Sequence, residues 1–143
     1  MHVAFIYSPS LDSATIEAFL AAMHSKGAAI SHLGKSDPPK KWTSSLQDAV
    51  AVIANGPDLT NTTFVRSSDK NIGITIHLHR DERWTHDTIA IDGPDECSLR
   101  DLASTIGNAI GAYLVITGAA GSGKNQDWNT VSRRPDCPTN LLL

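Results

Sequence analysis

The chain has 143 residues, 41% of them apolar, which is enough for one compact domain and too few for two. A formal charge of -3 and six scattered histidines give no basic stripe, so we expect no nucleic-acid partner. No apolar run reaches the ~20 residues that span a bilayer, and the first residues lack a signal peptide's basic region, which predicts a cytoplasmic protein without membrane contact. Cys97 and Cys137 fit no disulfide or zinc pattern.

The first half of the chain predicts strands that alternate with helices. HVAFIYS is a continuous apolar run, typical of a central strand buried on both faces. A helix is predicted that begins with Asp12 or Ser13 as its cap and ends at Gly27, a stop signal. The segments that follow are a short strand in AAISHLG, an exposed loop in KSDPPKK, helical spacing from Trp42 to Ala49 and a third buried strand in VAVIANG.

The second half begins with a segment that is poor in helix formers. Gly56 to Asn71, GPDLTNTTFVRSSDKN, would cross over from the third strand, and its β-branched and cap-forming residues predict a short or irregular helical turn. IGITIHLH then predicts a fourth strand, TIAIDG a short fifth, and the apolar face from Leu99 to Tyr113 a last helix with a capping box at Ser98 and Asp101. Residues 1–117 would form the domain and 118–143 a flexible tail, whose closing NLLL either docks or frays.

This alternation predicts an α/β fold. Helical connections of about a dozen residues imply parallel crossovers, so we expect a doubly wound, flavodoxin-like sheet of about five mostly parallel strands with helices on both faces. Ligands bind such sheets beyond the carboxyl ends of the strands. Here those ends would be Tyr7 to Ser10, Leu33 to Pro39, Asn55 to Asp58 and His79 to Trp84.

One segment, HLHRDERWTHD, is rich in histidine. His77 and His79 are two apart on a predicted strand and share a face, and with Asp81 and His86 nearby they could hold a metal. The segment resembles the start of the metallo-β-lactamase ligand motif, but Glu82 stands where a third histidine belongs. We predict no metal site on motif grounds, although binding by the histidine pair stays open.

A second segment, GAAGSGKN, matches a phosphate-binding loop except at its last position. Asn125 stands where Ser or Thr would hold magnesium, and too few residues follow to complete a nucleotide fold. A flexible linker is the better prediction.

The order of several segments resembles the Toll/interleukin-1 receptor (TIR) domain family over about Val3 to Ile110. The matches are an aromatic residue and a serine that end the first strand before an acidic residue, prolines in the loop after the second strand, a tryptophan that opens the next helix, and Ile-Asp at the end of a late strand. The residues concerned are Tyr7, Ser8, Asp12, Pro38, Pro39, Trp42, Ile91 and Asp92.

The resemblance implies a nucleotide cleft without its catalytic group. In the enzymatic branch of the family a glutamate after the third strand cleaves the nicotinamide–ribose bond of NAD, and here Ser68 takes its position. Asp69 is a weak substitute, since one helical residue turns a side chain by ~100°. We therefore expect no catalytic residue. The candidate cleft residues are Tyr7, Ser8, Ser10, Asp12 and Trp42.

The leading hypothesis is a non-catalytic TIR-like adaptor or sensor domain in immune or defence signalling. It would bind a protein, such as another TIR-like domain or itself, through helix faces within Asp12 to Lys26 and Cys97 to Asn108 and through a loop. Two alternatives stay open: an NAD glycohydrolase that uses Asp69, and a receptor that binds NAD or a related nucleotide without cleaving it. The loop residues are Lys35, Asp37, Pro38, Pro39, Lys40 and Lys41.

Overall fold

The computed structural model describes residues 1–56, 60–79, 86–119, 127–139 and 141. Strands and helices alternate only at the start of the chain. The elements are β1 (His2–Ser8), α1 (Ser13–Ser25), β2 (His32–Gly34), α2 (Leu46–Ala54), β3 (Thr60–Ser67), β4 (Ile72–His79), β5 (Asp87–Gly93), α3 (Glu96–Ile110), β6 (Leu114–Ala119) and β7 (Asn129–Arg133).

The described strands form one sheet in the order β2-β3-β4-β5-β1-β6-β7. Each neighbouring pair is antiparallel. The predicted doubly wound, flavodoxin-like sheet of mostly parallel strands is therefore wrong. The central position of β1 is confirmed, because β5 and β6 flank it on either side.

The described helices pack on one face of this sheet, whereas the sequence predicted helices on both faces. α3 contacts β1, β5 and β6, α2 contacts β3, and α1 packs against the other two helices. On β4 the buried side chains are Ile72, Ile74, Ile76 and Leu78, and they join residues of all three helices in one apolar core. Such alternation is typical of an antiparallel strand with a single face in the core.

The opposite face of the sheet is called the open face below. Near β6 the end of the chain covers it, since Cys137 and Leu141 pack with Tyr7 and Leu114. Over the rest, no described helix or strand packs on it. The residues of β1 to β5 on this face, by register and alternation, are Val3, Phe5, Tyr7, His32, Gly34, Thr62, Phe64, Arg66, Gly73, Thr75, His77, His79, Thr88, Ala90 and Asp92.

Two predicted helices are confirmed. Asp12 caps α1 by accepting a hydrogen bond from the Thr15 amide at 2.8 Å, and Gly27 follows the helix with φ 73°. α3 is capped by Asp95, which accepts from the Ser98 amide at 2.9 Å, so the expected capping box at Ser98 is one turn late.

Two middle segments differ from their predictions. The first five residues of the expected third strand VAVIANG, Val50 to Ala54, lie in α2, whose cap Ser45 accepts a hydrogen bond from the Asp48 amide at 3.1 Å. The expected crossover is largely β3, which turns directly back into β4. β-branched residues favour a strand over a helix, so this stretch is poor in helix formers because it forms a strand.

The C-terminal region is more ordered than the sequence indicates. β6 is a strand without a sequence prediction, and β7 and the buried Cys137 lie inside the predicted tail. The phosphate-loop match falls mostly on residues outside those described. Among the described residues, no helix is both long and apolar enough to cross a membrane.

Candidate functional site at the open face

Three histidines and a tyrosine form a cluster at one end of the open face. The rings of His77 and His79 stack with centroids 6.4 Å apart, which confirms that they share a face. His86, just before β5, lies 6.3 Å from His79 and 5.7 Å from Tyr7 of β1, each in an edge-on arrangement. The sheet register brings these residues together, because Thr88 pairs with both Tyr7 and His77.

A buried carboxylate holds the backbone beside this cluster. Asp87 is 1% exposed, and its two oxygens accept hydrogen bonds from the amides of Leu11 and His79, both at 2.8 Å. Asp87 thereby fixes the end of β4 to the segment that leads into α1. Because both oxygens are engaged with backbone amides, Asp87 is a positioning residue.

Burial favours the uncharged forms of His77, His86 and Tyr7. Desolvation lowers the pKa of His77, and the nearby His79 lowers it further. Burial likewise lowers the pKa of His86, with His79 adding to the effect and Asp87 opposing it. Burial raises the pKa of Tyr7, which therefore keeps its proton. The Oγ1 of Thr62 and the Nδ1 of His77 lie 3.0 Å apart, so the His77 ring has a fixed orientation.

The histidine cluster does not form a metal-binding arrangement with other described residues. Within the described part of the chain, no group of three or more His, Cys, Asp or Glu side chains is placed to hold a metal ion. Asp81 and Glu82, which the sequence placed near the histidine pair, lie outside the described residues.

A groove of about 260 Å³ lies at the other end of the open face. The sheet register places Arg66, Gly73 and Asp92 in one row across β3, β4 and β5. A side chain at Gly73 would meet the carboxylate of Asp92, since an added Cβ would lie 2.9 Å from its Oδ1. The loop after β2 borders the groove, where Asp37 lies 3.7 Å from the guanidinium of Arg66.

The residues expected to form an NAD-cleaving cleft lie at separate ends of the sheet. Ser68 and Asp69 are in the turn before β4. Tyr7 and Ser8 lie level with the far end of β4, four residues beyond Gly73, which is at least ~13 Å along the strands. Tyr7 and Ser8 also point to opposite faces, as neighbours on a strand must.

The remaining cleft candidates, Ser10, Asp12 and Trp42, lie at or before the starts of helices. Asp12 is the cap of α1, and Ser10 is exposed in the segment that leads to it. Trp42 precedes α2 instead of opening a helix, and its ring packs against the core. Its indole nitrogen is buried and has no hydrogen-bond partner among the described residues. The structure does not bring the candidate cleft residues together, and the TIR resemblance itself stays a prediction.

The predicted interaction loop is partly built into the domain. Lys35 extends its ammonium group to Asn61 Oδ1 at 2.5 Å and Thr63 Oγ1 at 2.7 Å, and Pro39 is buried. Asp37 pairs with Arg66 at the rim of the groove. Three other residues of this loop are exposed, namely Pro38, Lys40 and Lys41.

Sequence reasoning missed the importance of Asp87 and of the row that contains Arg66 and Asp92. The alternation of buried and exposed residues in IGITIHLH was the signal for a two-faced antiparallel strand. The same alternation of buried and exposed residues in β3 would have placed Phe64 and Arg66 on the same face as His77. Asp87 had no such signal, since its partners are backbone amides that only the fold brings near.

Comparison with known proteins gives no further assignment: no protein-family model, no curated protein and no solved structure matches the chain.

Proposed function

We propose that the protein acts by binding another protein through the open face of its sheet, without catalysing a reaction. The observation that carries this proposal is the composition of that face. Phe64 and Phe5 are half-buried, and the small residues Thr75 and Ala90 lie between them in the same row. An apolar centre with charged groups at its rim is the usual composition of a protein interface.

An exposed tryptophan supports the same surface. Trp128 is 41% exposed, and its ring lies edge-on to Phe5 with centroids 5.3 Å apart. Tryptophan is among the residues that contribute most to binding energy at interfaces. The aromatic side of the open face thus continues from Phe5 onto Trp128.

The proposal contains no catalytic step because Asp69 and Tyr7, which the NAD glycohydrolase alternative requires in one cleft, lie at opposite ends of β4. Incubation with NAD should release no nicotinamide above the buffer rate. Release that the Asp69→Ala variant abolishes would contradict the non-catalytic part of the proposal.

The binding surface is tested with two matched substitutions from apolar to charged. Phe64→Lys changes the open face, whereas Leu46→Lys changes a residue that is 53% exposed on α2, on the helical side of the sheet. Proteins captured from an extract of the native cells should be lost with Phe64→Lys and kept with Leu46→Lys. Loss with Leu46→Lys alone, or equal capture by both variants, would contradict the assignment of the surface.

A second candidate, binding of a nucleotide without cleavage, is favoured by the aromatic cluster at His77, His79, His86 and Tyr7. Flat aromatic rings can stack on a base. A thermal-shift measurement with NAD and ATP tests it: the candidate requires a rise in melting temperature that His77→Ala removes, and no rise with either nucleotide counts against it.

A further inference from the structure

We infer that the open face binds the open face of a second copy of this chain, with a two-fold axis that runs parallel to β4 between the two sheets. This inference rests on the proposed function and names the partner. Three neighbouring strands, β3, β4 and β5, carry two rows of residues that match each other in such a contact.

The first row carries opposite charges on the two strands that flank β4. Arg66 of β3 and Asp92 of β5 both pair in register with Gly73 of β4. Arg66 and Asp92 are exposed, and the glycine between them adds no side chain. Neighbouring strands are about 4.8 Å apart, so the Cα atoms of Arg66 and Asp92 lie on either side of β4 at the same height along it, and the Asp92 carboxylate lies beside Gly73.

A half-turn about an axis parallel to β4 exchanges the two sides. β3 of one copy then lies over β5 of the other, so Arg66 of each copy faces Asp92 of the second copy, and two equivalent ion pairs form. Packed sheets are about 10 Å apart, which a long arginine side chain and a short aspartate bridge together. An isologous contact of this kind closes as a dimer.

The second row is complementary in size under the same rotation. Phe64 and Ala90 both pair with Thr75 of β4, so the large Phe64 of one copy lies over the small Ala90 of the other. Thr75 then faces Thr75 of the second copy across the axis. Large side chains over small ones allow two sheet faces to interdigitate at the spacing of a protein interior.

Both charges are available for such a contact. In the described part of the chain no Lys, Arg or His forms an ion pair with Asp92. Arg66 is paired only with Asp37 there, in a contact whose side chains are 55% and 60% exposed. Exposed pairs of that kind contribute little, so Arg66 can add a second carboxylate at small cost.

The alternative axis, perpendicular to the strands, does not give this match. It places β3 over β3 and β5 over β5, so each charge would face either its own kind or the uncharged row of Thr62 and Thr88. Only the axis parallel to β4 pairs opposite charges.

Charge reversal tests the inference by sedimentation. The wild-type protein should be a dimer. Arg66→Glu or Asp92→Arg alone should weaken dimerisation at least about tenfold, since each places two pairs of like charges in contact. An equal mixture of the two variants should regain wild-type dimerisation, because both contacts in the mixed dimer join opposite charges. The double variant should also dimerise.

Several results would overturn the inference. The first is a wild-type protein that stays monomeric at about 100 times the protein concentration of a typical assay. The second is a single variant, Arg66→Glu or Asp92→Arg, that dimerises like the wild type. The third is an equal mixture of the two variants that does not regain dimerisation. Arg100→Glu, an exposed change on α3, is the matched control and should leave the dimer intact. Circular dichroism verifies folding, and Thr75→Arg provides an independent disruption at the axis if a charge variant fails to fold.

The two proposals fail separately. If the wild-type protein is a monomer, the partner is not a second copy of this chain. The capture experiment with Phe64→Lys and Leu46→Lys then still decides whether the open face binds another protein. Equal capture by those two variants, with a normal mixed dimer, would restrict the open face to self-association.

Discussion

Asp87 is a buried carboxylate that accepts two backbone hydrogen bonds, and it illustrates how a single side chain positions the histidine end of the sheet. Asp87→Ala leaves the amides of Leu11 and His79 without that acceptor, so we expect a loss of about 3 kcal/mol in the free energy of unfolding. Urea denaturation measures it. Asp69→Asn, in an exposed turn, is the control and should stay within about 0.5 kcal/mol of the wild type.

The histidine cluster should make stability depend on pH between about 7 and 5. His77 and His86 have pKa values below the usual 6.5 in the folded chain. As the pH falls through that usual value, the unfolded chain binds protons that the folded chain does not, so the free energy of unfolding decreases. The decrease ends once the pH is below the lowered values.

Denaturation at about pH 7, 6 and 5 measures this dependence, and His77→Gln should reduce it while retaining a partner for Thr62. The depressed pKa values of Asp12 and Asp95 act at lower pH, around the ordinary carboxylate range, and do not obscure the window. An unchanged pH dependence in His77→Gln would contradict the assigned cause.

At the scale of elements, the contact between α3 and β6 depends on a glycine. A Cβ on Gly107 would lie 2.7 Å from Cγ2 of Val115, a fully buried side chain of β6. Gly107→Ala should therefore destabilise the fold by about 1–2 kcal/mol, although alanine favours a helix. Thermal or urea unfolding checks this. Asn108→Ala, exposed on the same helix, should be neutral or stabilising, and a stabilised Gly107→Ala would show that α3 does not approach β6 so closely.

The same elements show how far the sequence leads. α1, α3, β4 and β5 were predictable because caps, apolar spacing and β-branched content agree over their lengths. VAVIANG was misassigned because a short apolar run does not distinguish a strand from a buried helix, and the Ser45 cap was the overlooked signal.

The direction of the strands was the larger error, and it came from β1. HVAFIYS is apolar on both faces because the C-terminal segment covers its second face at Tyr7, which imitates a parallel strand between two helical layers. Pairing partners far apart in the sequence are not encoded in local periodicity, so β6 and β7 could not be placed beside β1 from composition. The predicted site depended on parallel strand ends and was misplaced for the same reason.

For the molecule as a whole, one helical layer on one face leaves the other face of the sheet to be explained. Exposed sheet faces with aromatic residues are normally paired with another surface. Here the row of Arg66, Gly73 and Asp92 and the row of Phe64, Thr75 and Ala90 are each complementary to themselves after a half-turn. The account therefore centres on contact between two open faces.

Cross-linking at the axis tests that claim most directly. Thr75→Cys is made together with Cys97→Ser, which removes the exposed native thiol, and is treated with a bismaleimide of about 10 Å, the spacing of packed sheets. We predict that most of the chain becomes a covalent dimer, whereas Leu46→Cys in the same background stays monomeric. Cross-linking at Thr75→Cys that does not exceed that at Leu46→Cys would contradict the account.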